Sequence, residues 1–165
     1  MKKYGWIILI LVLLLTGCQS VPTFETLGNV YASQEDHEQR TFNLELPADA
    51  AAQTITGSTG TIYFCDGYEI VLETMSAGDL DSTLRTLTGF DADALTLMQT
   101  RGSDYSCYEC AWTSAGEAGF QVGRTKILDD GNWYYCLTVF APANDAGSLQ
   151  NDWQRLFESF YLSQS

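Results

Sequence analysis

Between residues 41 and 141, apolar side chains recur mainly at every second position, in short runs broken by Gly- and Asp-rich punctuation. Period two is the pattern of strands with two distinct faces, and the breaks supply residues that hairpin turns need. Residues 41–46 (TFNLEL) put Phe42, Leu44 and Leu46 on one face. Pro47 ends that run, because proline cannot donate to a ladder. GSTG at residues 57–60 reads as a loop, and residues 61–65 and 68–75 flank Asp66-Gly67, a two-residue hairpin signal. Four more strands are predicted over residues 95–100, 105–113, 120–128 and 133–141. Arg101-Gly102-Ser103-Asp104, Gly116-Glu117-Ala118-Gly119 and Asp129-Asp130-Gly131-Asn132 separate them, and Pro142 closes the last.

Two stretches switch to a helical period. In residues 79–88 (DLDSTLRTLT), Leu80, Leu84 and Leu87 repeat at four and three, and Gly89 stands at a helix stop. Residues 145–162 form a second amphipathic helix, with Leu149, Trp153, Leu156, Phe157 and Phe160 on one stripe. The predicted order is β-β-β-α-β-β-β-β-α. That is an α+β fold: a mostly antiparallel sheet of about six to seven strands with two helices packed on it, able to cover one face. A long hairpin feeding a closing helix that ends in Ser159-Phe160-Tyr161-Leu162 is similar to PsbP-like α/β/α domains, over about residues 41–162. The resemblance implies a sandwich of sheet and helices and a role in binding or assembly; it assigns no catalytic residue.

The N-terminus follows a different logic. Lys2 and Lys3 precede an unbroken apolar run, WIILILVLLL at residues 6–15, followed by Thr16, Gly17 and Cys18. A positive start, short apolar middle and small-residue end is the layout of a secretory signal. The run is ten residues, whereas a spanning helix needs about 20. Leu15-Thr16-Gly17-Cys18 resembles the lipobox of bacterial lipoproteins. The resemblance implies cleavage after Gly17, a diacylglyceryl group on the Cys18 thiol and acylation that holds the chain on the membrane. Two acyl chains anchor stably where one is marginal. Residues 1–17 are thus expected to be a signal peptide, residues 18–40 a lipidated N-terminus with an acidic flexible tether, and residues 41–165 one extracytoplasmic domain.

Charge narrows the partners. Without Lys2 and Lys3, six basic residues face 21 acidic ones, a net −15. Such a chain is not built for nucleic acid, and anionic lipid would repel it, so lipid on Cys18 must supply the membrane attachment.

Four other cysteines, Cys65, Cys107, Cys110 and Cys136, allow up to two disulfides in an exported chain. They equally suit packing as small hydrophobes. Cys107-Tyr108-Glu109-Cys110 has redox spacing, but thioredoxin-like chemistry needs the first cysteine at a helix start, and this run is strand-like. In a regular strand the two thiols face opposite sides, which also speaks against a shared metal. His37 is the sole histidine and lies in the tether, so a Ser-His-Asp arrangement has no base. The acid pairs Asp79/Asp81, Asp91/Asp93 and Asp129/Asp130 lack calcium-loop spacing and fit helix starts and turns.

No catalytic set, metal or cofactor is expected. The expected role is a non-enzymatic, lipid-anchored envelope domain that binds a protein, peptide or glycan. The alternatives are a carboxylate-dependent envelope hydrolase and a structural or assembly partner of a membrane complex. Aromatics in Trp133-Tyr134-Tyr135 and at Tyr105, Tyr108 and Trp112 could pack under helices or offer a binding face.

Overall fold

The computed structural model describes residues 37–54, 60–116 and 119–163. The expected signal peptide, Cys18 and residues 19–36 of the expected tether lie outside the described residues, as does most of the GSTG loop. The chain divides into two units, Met1–His37 and Glu38–Ser165; the second carries the fold.

Among the described residues, the strands are β1 (Phe42–Asn43), β2 (Ala51–Thr54), β3 (Thr61–Cys65), β4 (Tyr68–Ser76), β5 (Met98–Arg101), β6 (Ser106–Gly116), β7 (Gly119–Asp129), β8 (Trp133–Pro142) and β9 (Tyr161–Leu162). The α-helices are α1 (Leu80–Thr88) and α2 (Gln150–Ser159), and a single 3-10 turn spans Ala92–Ala94. Seven strands form one sheet in the order β2-β3-β4-β8-β7-β6-β5, and β1 pairs with β9 in a second, two-stranded sheet. Every pairing is antiparallel. The fold is therefore α+β. It consists of two meanders, β2-β3-β4 and β5-β6-β7-β8, joined by α1 and docked along β4 and β8.

The helices lie over opposite faces of the sheet. On one face Tyr135, Leu137 and Val139 of β8 pack with Trp153, Leu156, Phe157 and Phe160 from α2 and its end. On the other, Tyr134 and Cys136 of β8 pack with Cys110, Ile127 and Leu84 of α1. Adjacent β8 residues thus enter different cores. Tyr134 to Val139 are all buried, so β8 demands cover on both sides, and one helix cannot supply it.

Local chemistry sets the helix ends. The Asp79 carboxylate accepts from the backbone N–H groups of Asp81 and Ser82 at 3.3 Å each and from the Ser82 hydroxyl at 2.6 Å. Gly89 ends α1 in the left-handed region at φ 80°, a conformation that favours glycine. Arg85 pairs with Asp91 across this end.

The second helix departs from the sequence pattern. It starts at Gln150, not near Asp145, because residues 143–149 turn back on Pro142 and Asp145. It stops at Ser159, where Tyr161–Leu162 becomes a strand beside β1. The strand predicted over residues 41–46 is correspondingly short, limited to the two residues that pair with β9. Ala51–Thr54 was not predicted as a strand, yet it pairs with β3.

The strand pairs bring the ends of the domain together. Ser163 donates its N–H to the Thr41 carbonyl at 2.9 Å, and the Arg40 guanidinium donates to the Ser163 carbonyl at 2.7 Å. The Arg40 backbone N–H donates to the Tyr135 hydroxyl at 2.6 Å, and that hydroxyl donates to Asp130 at 3.1 Å. Arg40, at the end of the predicted tether, thus bonds into the domain. Phe42 meets the Phe160 and Tyr135 rings edge-on, with centroids 5.6 and 6.1 Å away.

Phe160 is fully buried between the α2 core and β1. Phe160→Ala is expected to cost about 3–5 kcal/mol in urea unfolding; a loss under about 1 kcal/mol would contradict this packing. A pH effect follows from the Asp79 cap. The hydrogen bond from the Ser82 hydroxyl, followed by the backbone donors, holds this carboxyl below its ordinary value of 3.8. The charge therefore favours the folded state at neutral pH, and that contribution disappears as pH falls through the lowered pKa. Asp79→Asn, which still caps, should be less stable than the wild type at neutral pH, with the gap closing as pH falls below the ordinary carboxyl value of 3.8. An unchanged gap would show that the charge adds nothing to the cap.

Candidate functional site

A nine-residue helix such as α1 is only about 13 Å long. A seven-stranded sheet is about 29 Å wide. So α1 covers part of its face and leaves the rest open. There, depressions of about 290, 230 and 280 Å³ share walls. Trp112 lines the first two, and Gln121 and Phe140 line the last two. Through these shared residues they form one groove from β6 across β7, β8 and β4 to the β3–β4 hairpin, where the third depression wraps round the end of the sheet and Cys65, Tyr68 and Ala141 of the α2 core also line it.

Trp112 divides the groove, and three features hold it there. Gly123 is its cross-strand partner, and a Cβ at Gly123 would overlap the indole. The glycine therefore lets the ring lie against the β7 backbone. The indole N–H donates to the Thr125 hydroxyl at 3.2 Å. Thr125 in turn shares a 3.1 Å hydrogen bond with Thr138, and both threonines are buried. Phe90 and Phe140 flank the indole, each with its ring centroid 6.4 Å away. Phe90 is positioned by the end of α1: its N–H donates to the Thr88 hydroxyl at 3.1 Å, which itself donates to the Leu84 carbonyl at 2.7 Å.

Val71, Leu87 and Phe140 make the central depression apolar, while Glu73, Thr86, Gln121 and Thr138 bring polar groups to it. Glu69 lines the depression at the hairpin. The groove can therefore stack planar or aliphatic groups, donate and accept hydrogen bonds, and face a cation with carboxylate.

The four described cysteines form no constellation. Cys107 and Cys110 face opposite sides of the sheet, as their spacing predicts, with Cys107 packed against the α2 core and Cys110 inside the α1 core. Cys110 and Cys136 share a face, but β7 lies between their strands. Two strand spacings are about 9.6 Å, more than the roughly 7 Å a disulfide tolerates between Cα atoms. Cys65 packs on the α2 side from β3, four strands from Cys107. All four thiols are free. Burial pushes each of them up, Cys107 to about 11, so none is a thiolate nucleophile at neutral pH.

The acid pairs serve local structure. Asp79 caps α1, and Asp91 pairs with Arg85. Asp129 accepts the Gly131 N–H at 2.9 Å, while Asp130 accepts those of Asn132 and Trp133 at 2.9 and 2.7 Å. His37 is exposed. Among the described residues, no three His, Cys, Asp or Glu side chains converge as a metal shell.

Most of the aromatic run pointed out by the sequence goes to the core: Tyr134 and Tyr135 are buried. Trp112 alone of that set reaches the groove. Phe90, Phe140 and Glu73 were not singled out by the sequence. The available signal was Gly123, an isolated glycine inside a strand, which marks a close approach.

The opposite face carries a different cluster. Lys126 donates to the Phe157 carbonyl at 2.6 Å and lies 4.0 Å from Glu109. Arg124 reaches Glu109 at 3.5 Å and sits over the Phe157 ring, 4.5 Å from its centroid. The two cations fasten α2 to the sheet near its C-terminal end, where the helix dipole favours positive charge.

No family model matches the sequence, and no curated protein matches it. In fold, the chain is similar to LpqN, involved in cell envelope biogenesis of Mycobacterium tuberculosis. The TM-score is 0.53 at 14% identity, covering 78% of this chain and 87% of that one. It is also similar to a protein of Bacteroides thetaiotaomicron VPI-5482, with a TM-score of 0.51 at 12% identity. That match covers 75% of this chain and 46% of the other, so this chain spans just under half of its length. At these identities the likeness is one of fold.

Gly123→Ala should displace Trp112 and destabilise the domain by about 1–3 kcal/mol through overpacking. The check is urea unfolding together with the chemical shift of the Trp112 indole N–H. An unmoved indole resonance would contradict the seat described here.

Proposed function

We propose that this chain is a bacterial lipoprotein, held through lipid on Cys18 at the extracytoplasmic face of the cell membrane. Its PsbP-like domain binds a protein, peptide or glycan without converting it. The N-terminal support is the lipobox Leu15-Thr16-Gly17-Cys18 behind a ten-residue apolar run. The fold it shares with LpqN, a protein involved in cell envelope biogenesis, is in keeping with that location.

The observation that carries the binding reading is the seating of Trp112. A backbone glycine, a hydroxyl and two neighbouring rings fix a large aromatic where two open depressions meet. Such preorganisation lowers the entropy cost of binding. Hydrolysis by paired carboxylates finds less support. Glu69 and Glu73 line separate depressions, so the two carboxylates do not share one cleft wall.

Cys18→Ala should abolish signal processing or release the protein from the membrane fraction; unchanged processing and fractionation would rule out lipid anchoring. Binding is tested in intact cells with a photo-crosslinking residue in place of Thr86, at the groove, or of Glu158, on α2. A discrete adduct is expected only from the Thr86 position and should be lost on Trp112→Ala. An adduct that survives Trp112→Ala, or one confined to the Glu158 position, would overturn the assignment of this face.

A further inference from the structure

We propose that the groove takes an extended peptide segment, both basic and apolar, of a partner protein. This rests on the binding reading above and specifies its ligand.

Charge is the first argument. Glu69 and Glu73 line the groove, and none of the residues lining its three depressions is Lys, Arg or His. None of the six described Lys and Arg lines the groove; Arg101 lies on β5 and Arg155 lines a separate depression beside α2. Arg124 and Lys126 work on the opposite face, Arg40 bonds to Ser163, and Arg85, exposed on α1, pairs with Asp91. The chain carries a net −13, which adds long-range attraction for a basic partner.

Shape is the second. From β6 to β3 the groove crosses four strand spacings, about 19 Å, the length of roughly six extended residues. Alternating side chains of such a segment could meet the apolar centre and the two carboxylates in turn. A Lys or Arg stem can lie along Trp112 or Phe140 while its charged head faces Glu73. Gln121, Thr86 and Thr138 offer hydrogen-bonding groups to the peptide backbone. An acyl chain in the same place would bury carboxylates against hydrocarbon, which is unfavourable.

The experiment uses the full chain in nonionic detergent and fluorescence anisotropy of labelled hexapeptides. The probes are an alternating Lys/Leu peptide, its Glu/Leu and Lys/Ser counterparts, and a dansylated fatty acid. The Lys/Leu peptide should bind at least about tenfold tighter than either counterpart. Binding should weaken with added salt. Trp112→Ala should reduce it about tenfold or more. Glu69→Gln with Glu73→Gln should reduce both the affinity and its salt dependence. Asp152→Asn with Glu158→Gln removes two exposed carboxylates from α2 and should leave binding unchanged.

Equal binding of the Lys/Leu and Glu/Leu peptides, or an equal loss in the α2 variant, would overturn the proposal. So would binding of the fatty acid alone. Each of these could occur while groove-specific crosslinking in cells persists, so failure of the ligand class is distinguishable from failure of the binding function.

Discussion

The burial of β8 on both faces is the constraint on which the rest of the molecule depends. Tyr134 to Val139 are six consecutive buried residues. The backbone groups of β8 are satisfied by β4 on one side and β7 on the other. Its side chains then need an apolar layer above and below. α2 supplies one layer with Trp153, Leu156 and Phe157. α1 supplies the other with Leu84, helped by Leu80 and Leu87. The two meanders join at this strand, so the sheet order, the two cores and the positions of both helices have a single cause.

The groove follows from unequal covering. α2 is extended by Phe160, Leu162 and the β1–β9 pair, all of which add to the core beneath it. α1 has a smaller extension: it ends at Gly89, and only Ala92, Leu95 and Leu97 of the segment leading to β5 add to its core. Rings from Trp112, Phe90 and Phe140 occupy part of the space a longer helix would fill. The paired cations that fasten α2 lie on its own face, which leaves carboxylates as the charged groups among the groove residues.

Strands flanked by strong turn signals were legible in the sequence. Asp66-Gly67 and Asp129-Asp130-Gly131-Asn132 sit between pairs of strands as their chemistry requires. Ala51–Thr54 (AAQT) was not legible, because two alanines and a glutamine carry little strand preference; the open edge of β3 recruits it. The end of α2 departs from the sequence pattern for a related reason. Phe160, Tyr161 and Leu162 continue a helical stripe, but Leu162 finds a strand partner in Phe42, far away in sequence. The cysteines show the difference within one motif. Opposite facing of Cys107 and Cys110 follows from residue parity, whereas the β7 strand that separates Cys110 from Cys136 is a fact of sheet order.

By itself the sequence determined the elements governed by local rules: period-two strands, a capped α1, and an α+β composition. The lipobox resemblance at Cys18 is likewise local, since it needs only neighbouring residues. Tertiary structure decided which strand sits in the centre, which helix covers which face, and where a groove remains. Trp112, Phe140 and Glu73 come from three separate strands, and Phe90 from the segment after α1. Their meeting depends on strand order and on the length of α1 relative to the sheet, and no neighbouring residue encodes either.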